Sequence, residues 1–351
     1  ADAAMSVEQT QWAFKNGAID DPAQLADDRI WLLSGYNDGV VRQGTMDALY
    51  DYYLGFTGAG NIFYRDNLEA GHAQITPDFG GSCAATGGSY INDCDYDAAG
   101  VLLQHIYGRL EPTPEQALRG ELLAFDQAEF VVGEPRRIGL SSTGYLYVPS
   151  ACAEGALCRV HVAFHGCQQN ADRIGDAFYR QAGYNEWADA NRIIVLYPQT
   201  VATRFAPFNP KACWDWWGYT GRDYATRRGP QIGAVRAMLE QLSRGGSLVS
   251  PADAVGDLPG PPGNLAAIDS ADDAIALAWS PAAGARAYNV YRASATVGDY
   301  ARVNATPLTG TSYGDAGLSP ETEYSYRVTA LGAAGEGRPC LLYTSPSPRD
   351  S

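Results

Sequence analysis

Two residues stand where they could move a proton. Asp38 sits in the turn Gly35-Tyr36-Asn37-Asp38-Gly39, directly after the apolar run Arg29–Ser34. His72 sits in Gly71-His72-Ala73, 34 residues later, beyond a second strand-like run at Asn61–Tyr64. An acid that precedes a histidine, each on a loop after a strand, suits hydrolysis through a hydroxyl nucleophile. The carboxylate orients the imidazole, and the imidazole takes the proton of the nucleophile. Taken alone, a loop aspartate is usually solvated and a loop histidine inert. No Gly-x-Ser-x-Gly elbow accompanies the pair. The nearest string, Gly139-Leu140-Ser141-Ser142-Thr143-Gly144, precedes a strand instead of joining strand to helix. It reads as a polar turn, not as a nucleophile at Ser141 or Ser142.

A second constellation is His161-Val162-Ala163-Phe164-His165-Gly166-Cys167-Gln168-Gln169. A strand ending in His165-Gly166 before a helix is a way to build an oxyanion hole. The glycine lets the backbone approach the substrate, and the next N–H meets the developing negative charge. His165 has no second ligand or partner that would make it a metal site or a base. His161, alternating with Val160 and Val162, and His105, on a helical face, read as packed residues. Cys213-Trp214-Asp215-Trp216-Trp217-Gly218-Tyr219 crowds four aromatics into one loop. Such a loop either forms an apolar binding wall or packs locally beneath a disulfide; the residues alone leave both open.

The elements that must position these groups follow from hydrophobic patterning. Apolar runs at Arg29–Ser34, Gly144–Pro149, Arg159–Phe164 and Arg192–Pro198 read as strands. Helical spacing appears at Thr45–Leu54, Asp97–Tyr107 and Gln231–Leu242, and Ala171–Asn191 is long enough for a helix of several turns. Gly108 to about Leu122 reads as a polar connection. Strands alternating with helices predict an α/β domain over residues 1–250 with a mostly parallel sheet. A Pro/Gly linker follows at 251–263. Beyond it, short runs at Ile275–Trp279, Ala287–Arg292, Ala301–Val303 and Tyr324–Ala330 are split by turn residues, as in a β-sandwich. Tyr324, six residues after Leu318, fits a tyrosine corner. With Trp279 and Tyr291 this stretch, 264–339, resembles a fibronectin type III module.

Composition narrows the partners. The 351 residues are 46% hydrophobic and 19% charged, which argues against disorder. The net charge of −15 disfavours nucleic acid and anionic membranes. No apolar run approaches a membrane span, and none reads as a signal peptide. Of seven cysteines, Cys83/Cys94 and Cys152/Cys158 bracket short loops, which predicts disulfides and an oxidising compartment. Residues 340–350, CLLYTSPSPRD, resemble translated transposase-type sequencing-adapter DNA. Residues 340–351 are therefore expected to be an artefactual tail, which sets Cys340 aside and leaves six cysteines.

The residues together resemble secreted poly(3-hydroxybutyrate) depolymerases with a circularly permuted α/β-hydrolase domain. The matching pieces are WLLSGYNDGVV (31–41), GH (71–72), SYINDCDYDAAGVLLQHIYG (89–108), GYLYVPSAC (144–152), HVAFHGCQQN (161–170) and CWDWWGY (213–219). The resemblance implies Asp38 as the triad acid, His72 as the general base and the Cys167 N–H as an oxyanion donor, within the His165-Gly166-Cys167 turn. It implies an ester-binding groove lined by Trp214, Trp216 and Trp217, and a disulfide Cys167–Cys213. It further implies an extracellular, monomeric enzyme with no metal or organic cofactor, acting on an insoluble polyester or its oligomers. In the family the serine precedes the strand before Asp38, so the resemblance puts the nucleophile ahead of Ala1. The expectation is then a chain truncated at both ends and inactive as written. A secreted feruloyl or acetylxylan esterase, a non-catalytic extracellular binding protein and a Cys167 thiol nucleophile are the competing expectations. A disulfide at Cys167 would exclude the last.

Overall fold

The computed structural model describes residues 2–112, 118–245, 248, 259, 262–271, 273–294, 300–319, 322, 324–332, 335–336 and 340–344. It divides into two compact units, 1–249 and 250–351. Most of the expected linker at 251–263 lies outside the described residues.

The first unit opens with helix α1 (Ala3–Lys15), strand β1 (Ile30–Gly35), helix α2 (Gln43–Leu54) and strand β2 (Ile62–Leu68). β1 and β2 pair in parallel from Ile30↔Ile62 to Gly35↔Leu68, with α2 as the crossover. Both carboxyl ends therefore open on the same side. A small parallel sheet follows, β3 (Gln74–Thr76), β4 (Gly81–Ser82) and β5 (Ile91–Asp93), with β5 in the middle. Helix α3 (Ala98–Tyr107) is capped by Asp97, whose Oδ1 accepts from the Gly100 amide at 2.8 Å.

The main sheet comprises β6 (Glu121–Asp126), β7 (Thr143–Val148), β8 (Arg159–Val162) and β9 (Ile193–Tyr197), in the order β6-β7-β9-β8. Helix α4 (Ser150–Ala153) lies between β7 and β8. Only β8 and β9 are parallel. β6/β7 and β7/β9 are antiparallel, so the mostly parallel sheet expected from the alternation is mixed. The β6–β7 connection carries only short 3₁₀ turns and returns antiparallel, whereas the helical β8–β9 crossover enforces parallel pairing. β6 begins inside what reads as a polar connection.

The single helix expected over Ala171–Asn191 is three: α5 (Ala171–Ile174), α6 (Ala177–Gln181) and α7 (Tyr184–Asn191). The breaks fall at Gly175 and Gly183, with φ of 62° and 86°. Alternation along β7 and β9 splits the core in two. Tyr147, Val195 and Tyr197 pack with Leu103 and Phe178 on one face. Leu146 and Leu196 pack on the other with Met238, which lies on α8 (Pro230–Ser243). Among the described residues no helix is long and apolar enough to cross a membrane.

The second unit is all β. One sheet holds β10 (Gly263–Ala271), β11 (Ala274–Ser280) and β14 (Ser312–Ala316). The other holds β12 (Ala287–Ser294), β13 (Ala301–Arg302), β15 (Tyr324–Gly332) and β16 (Gly335–Glu336). Trp279, Tyr288, Val290 and Tyr326 fill the space between the inner faces. The Tyr324 hydroxyl accepts from the Ser319 amide at 2.9 Å, as a tyrosine corner does. Residues 340–344, set outside the module by their adapter-like sequence, form β17 (Cys340–Thr344) antiparallel to β15. Cys340 is half-buried and unpaired.

One close approach governs the loops above β1 and β2. The Ala70 carbonyl lies where a Cβ on Gly35 would stand, and it accepts from the Asn37 amide at 3.1 Å. The Tyr36 amide donates to Leu68 O at 3.0 Å. Gly35→Ala is expected to lower unfolding free energy by roughly 1–3 kcal/mol through overpacking and to lengthen the Asp38–His72 distance. Urea denaturation and the His72 ring resonances check the two effects.

Candidate active site

Asp38 and His72 meet at the end of the β1–β2 pair. Asp38 Oδ2 lies 2.8 Å from His72 Nδ1. Its other oxygen accepts from the amides of Val40 and Val41, both at 2.8 Å. The carboxylate is thus held by its own loop and turned toward the imidazole. The Asp38 side chain is 12% exposed and that of His72 38%. Among the described residues the His72 Nε2 has no hydrogen-bond partner. With Nδ1 on a carboxylate, Nε2 is the basic nitrogen.

The His72 loop is anchored from below. The Gly71 amide donates to Cys83 O at 2.8 Å, and the His72 amide to Thr86 Oγ1 at 3.0 Å. Cys83 is bonded to Cys94, beside β5. The Tyr90 ring stands edge-on to the imidazole, 6.3 Å between centroids.

The loop after β8 is locked by side chains. His165 is buried, with Nδ1 donating to Gly166 O at 2.7 Å and Nε2 accepting from the Thr200 amide at 3.1 Å. Both ring nitrogens are committed and the imidazole is neutral; burial holds its pKa down at about 4. His165 is therefore a structural residue of the turn. The Gly166 amide donates to Gln169 Oε1 at 2.7 Å, that of Gln168 to Lys211 O at 2.7 Å and that of Gln169 to Gly166 O at 3.2 Å. Among the described residues the Cys167 amide alone of these four donates to nothing, and Cys167 is exposed. A free N–H on a rigid, exposed turn is a ready donor to an oxyanion.

Cys167 is joined to Cys213 and Cys152 to Cys158. The bond at Cys167 removes the thiol-nucleophile alternative. Ser141 and Ser142 lie in the turn entering β7, where their carbonyls accept from Gln127, and take no part in the site. His161 packs against Tyr107 and Tyr184, its Nδ1 3.2 Å from the Tyr107 hydroxyl.

The tryptophans separate by role. Trp214 is half-buried; its indole donates to His165 O at 3.0 Å and stacks edge-on with Phe164. That bond braces the turn. Trp216 and Trp217 are 70% and 41% exposed, with Phe164 at 50%. Asp215 fixes the loop that carries them. Its carboxylate accepts from the amides of Trp217, Gly218, Tyr219 and Thr220 and from the Thr220 hydroxyl. Burial alone would raise its pKa, but the Thr220 bonds and the Gly218 and Tyr219 amides outweigh it and hold it below the usual aspartate value. Asp215, Gln168, Gln169 and Tyr90 are in the quoted motifs, yet nothing in their spacing marked them; an Asp followed by Gly218 and Thr220 was the one local signal.

Two predictions follow from the charges. His165 and His161 are both depressed to about 4 by burial. The unfolded chain binds their protons first, so their stability contribution is intact above the unfolded pKa near 6.5 and is lost as pH falls from there toward 4. His165→Gln should flatten that slope in urea titrations run across this range. Asp215→Ala leaves four amides without an acceptor; a loss of roughly 1–3 kcal/mol and a red shift in tryptophan emission are expected.

Comparison with known proteins follows the same division. Residues 260–341 match the fibronectin type III domain. A poly(3-hydroxybutyrate) depolymerase of Delftia acidovorans is 41% identical over 92% of this chain, which spans 63% of that protein's length. A polyhydroxybutyrate depolymerase of Talaromyces funiculosus is 36% identical, over 66% of this chain and 71% of its own. The solved PHB depolymerase of Penicillium funiculosum superposes with a TM-score of 0.62 at 32% identity, covering 66% of this chain and 75% of that one. A substituted PHB depolymerase complexed with an R3HB trimer also reaches 0.62, at 35% identity and the same coverage. The mixed sheet, the paired loops and the locked turn are those of an α/β-hydrolase, and the chain belongs to the polyhydroxybutyrate depolymerase family, with a fibronectin type III module as its second unit.

Proposed function

We propose that the protein hydrolyses the ester bonds of a short-chain polyhydroxyalkanoate through an acyl-enzyme. The observation that carries the reading is the His72 ring, held by Asp38 at Nδ1 and open at Nε2. In the first step a serine hydroxyl gives its proton to His72 Nε2, and its oxygen bonds the ester carbonyl carbon. The Cys167 N–H donates to the resulting oxyanion. The carbon–oxygen bond to the leaving alcohol breaks, and His72 returns the proton to that alcohol. Water, deprotonated by the same nitrogen, then releases the hydroxy acid and restores the serine. Trp216 and Trp217, exposed beside the turn, suit an apolar polyester.

The serine is the part that residues 1–351 do not supply in this reading. The sequence has no Gly-x-Ser-x-Gly elbow, and among the described residues no serine hydroxyl bonds His72. Two strand edges support a separate source. Among the described residues β8 pairs only with β9, and β1 only with β2. α3 contacts both sides, through Tyr107 to His161 and through the His105 carbonyl to Arg29. In this reading a strand that ends in an elbow serine pairs with those edges. Three disulfides support secretion to an oxidising compartment.

The test is complementation. The 351-residue chain alone is expected to hydrolyse 4-nitrophenyl butyrate no faster than buffer. Co-expression with a strand–Gly-x-Ser-x-Gly–helix segment of a family member should restore turnover, and Asp38→Ala should cut it about 10⁴-fold. Turnover by the chain alone would refute the missing serine. Product from feruloyl esters with none from polyhydroxybutyrate film would refute the substrate class.

A further inference from the structure

The general base and the oxyanion donor stand beside different sheets, and among the described residues no strand pairing joins them. One residue touches both loops. Tyr90 precedes β5 and has a positive φ of 52°. Its carbonyl accepts from the Gln74 amide at 2.8 Å, two residues past His72, and its ring is edge-on to the imidazole. On its other side its hydroxyl accepts from Gln168 Nε2 at 3.0 Å, and its carbonyl accepts from Gln169 Nε2 at 2.7 Å.

The two glutamines are part of the oxyanion turn. Gln168 follows Cys167 and holds a left-handed φ of 65°. Gln169 is 6% exposed; its Oε1 accepts from the Gly166 amide while its Nε2 reaches Tyr90 O and, at 3.3 Å, Ser89 O. The side-chain amide of Gln169 therefore ties the His165–Gly166 peptide, one before that of the Cys167 N–H, to the Tyr90–Ile91 peptide. A buried amide with both ends satisfied is directional and tolerates little displacement. A left-handed non-glycine residue beside the donor persists only where its surroundings hold it.

We propose that Tyr90 is a positioning residue that sets the spacing between the Cys167 N–H and the His72 ring, acting through Gln168 and Gln169. The proposal rests on the roles given above to His72 and Cys167. Tyr90 touches no reacting atom in it. Its effect is to prevent the two loops from separating when the substrate carbonyl enters.

The experiment reads both loops in the full ¹⁵N,¹³C-labelled chain by NMR, without needing turnover. Asp38→Asn comes first: loss of the low-field His72 Nδ1–H line shows that the pair forms in solution, and no change would sink the functional reading before the bridge is tested. Tyr90→Phe keeps the ring against His72 and removes the hydroxyl. Gln168→Ala removes its donor and, being partly exposed, leaves the fold intact. Gln169→Glu keeps the acceptor for Gly166 but loses the donor to Tyr90. Each variant should move both the Cys167 amide and the His72 ring resonances. Gly166 amide exchange should quicken about ten-fold in Gln169→Ala and stay near wild type in Gln169→Glu. Tyr90→Phe/Gln168→Ala should shift the reporters no further than either single change, since both remove one bond. If the Cys167 amide moves and the His72 ring does not, or if the two single effects add, the loops are independent and the proposal is overturned.

Discussion

An imidazole acts as a base at one nitrogen only if its other nitrogen is held, and in this protein the holding is a single 2.8 Å bond between His72 Nδ1 and Asp38 Oδ2. The partners are on separate loops, so the bond requires two backbones to stay in fixed register. The parallel pairing of β1 with β2 brings both loops to one side. The Ala70 carbonyl, seated against the missing side chain of Gly35, then brings them close. Two amides of the Asp38 loop cross to the His72 strand, and two more hold the free oxygen of Asp38. The carboxylate thus has no conformational freedom left to lose when the histidine charges, which is the form of preorganisation that favours charge development.

The oxyanion turn reaches rigidity by another route. Its last ladder-like bond is from the Ala163 amide to Leu196 O, and beyond it side chains share the work with two backbone bonds, from the Gln168 amide to Lys211 O and from the Gln169 amide to Gly166 O. Gln169, His165 and Trp214 each bond the backbone of residues 165–166, and the Cys167–Cys213 bond ties the turn to the tryptophan loop. His165 fits only as a neutral ring, since Nε2 faces the Thr200 amide. The bonds that make His165 useful to the turn thereby occupy both of its ring nitrogens.

Strand and helix content near the site was legible because it rests on periodicity. RIWLLS, RVHVAF and RIIVLYP read correctly as strands, and Asp97 marked the start of α3. The loop pair was legible because acid and histidine each followed such a run, and the Cys83–Cys94 and Cys152–Cys158 bonds because close cysteines close short loops. Three features were not. The breaks at Gly175 and Gly183 divide a stretch whose length favoured one helix. The direction of β6 and β7 depends on what joins them, and alternation carries no sign of direction. That Trp214 bonds the turn while Trp216 is exposed depends on which way an indole faces, which neighbours two residues apart do not encode in a loop. Residues 340–344 show the converse: an adapter-like string rich in leucine, tyrosine and threonine still meets the pairing demand of an open edge at β15.

The division of the first unit has a consequence for how the site is kept. Within each sheet, several backbone bonds share the load, and losing one costs little of the register. Between the sheets, the described bonds include Tyr107 to β8, Trp187 to Asp97 at the start of α3, and the amides of Gln168 and Gln169 to Tyr90, beside the apolar packing of Ala99 and Leu103 against Tyr147 and Val195. Each such bond contributes about 1 kcal/mol to stability, a small share of what holds a domain of this size. Its effect on geometry is larger, because a shift of a few tenths of an ångström between base and oxyanion donor is not corrected by any ladder. Substitutions at Gln168 and Gln169 are therefore expected to act on the alignment of the two loops before they act on the folded state.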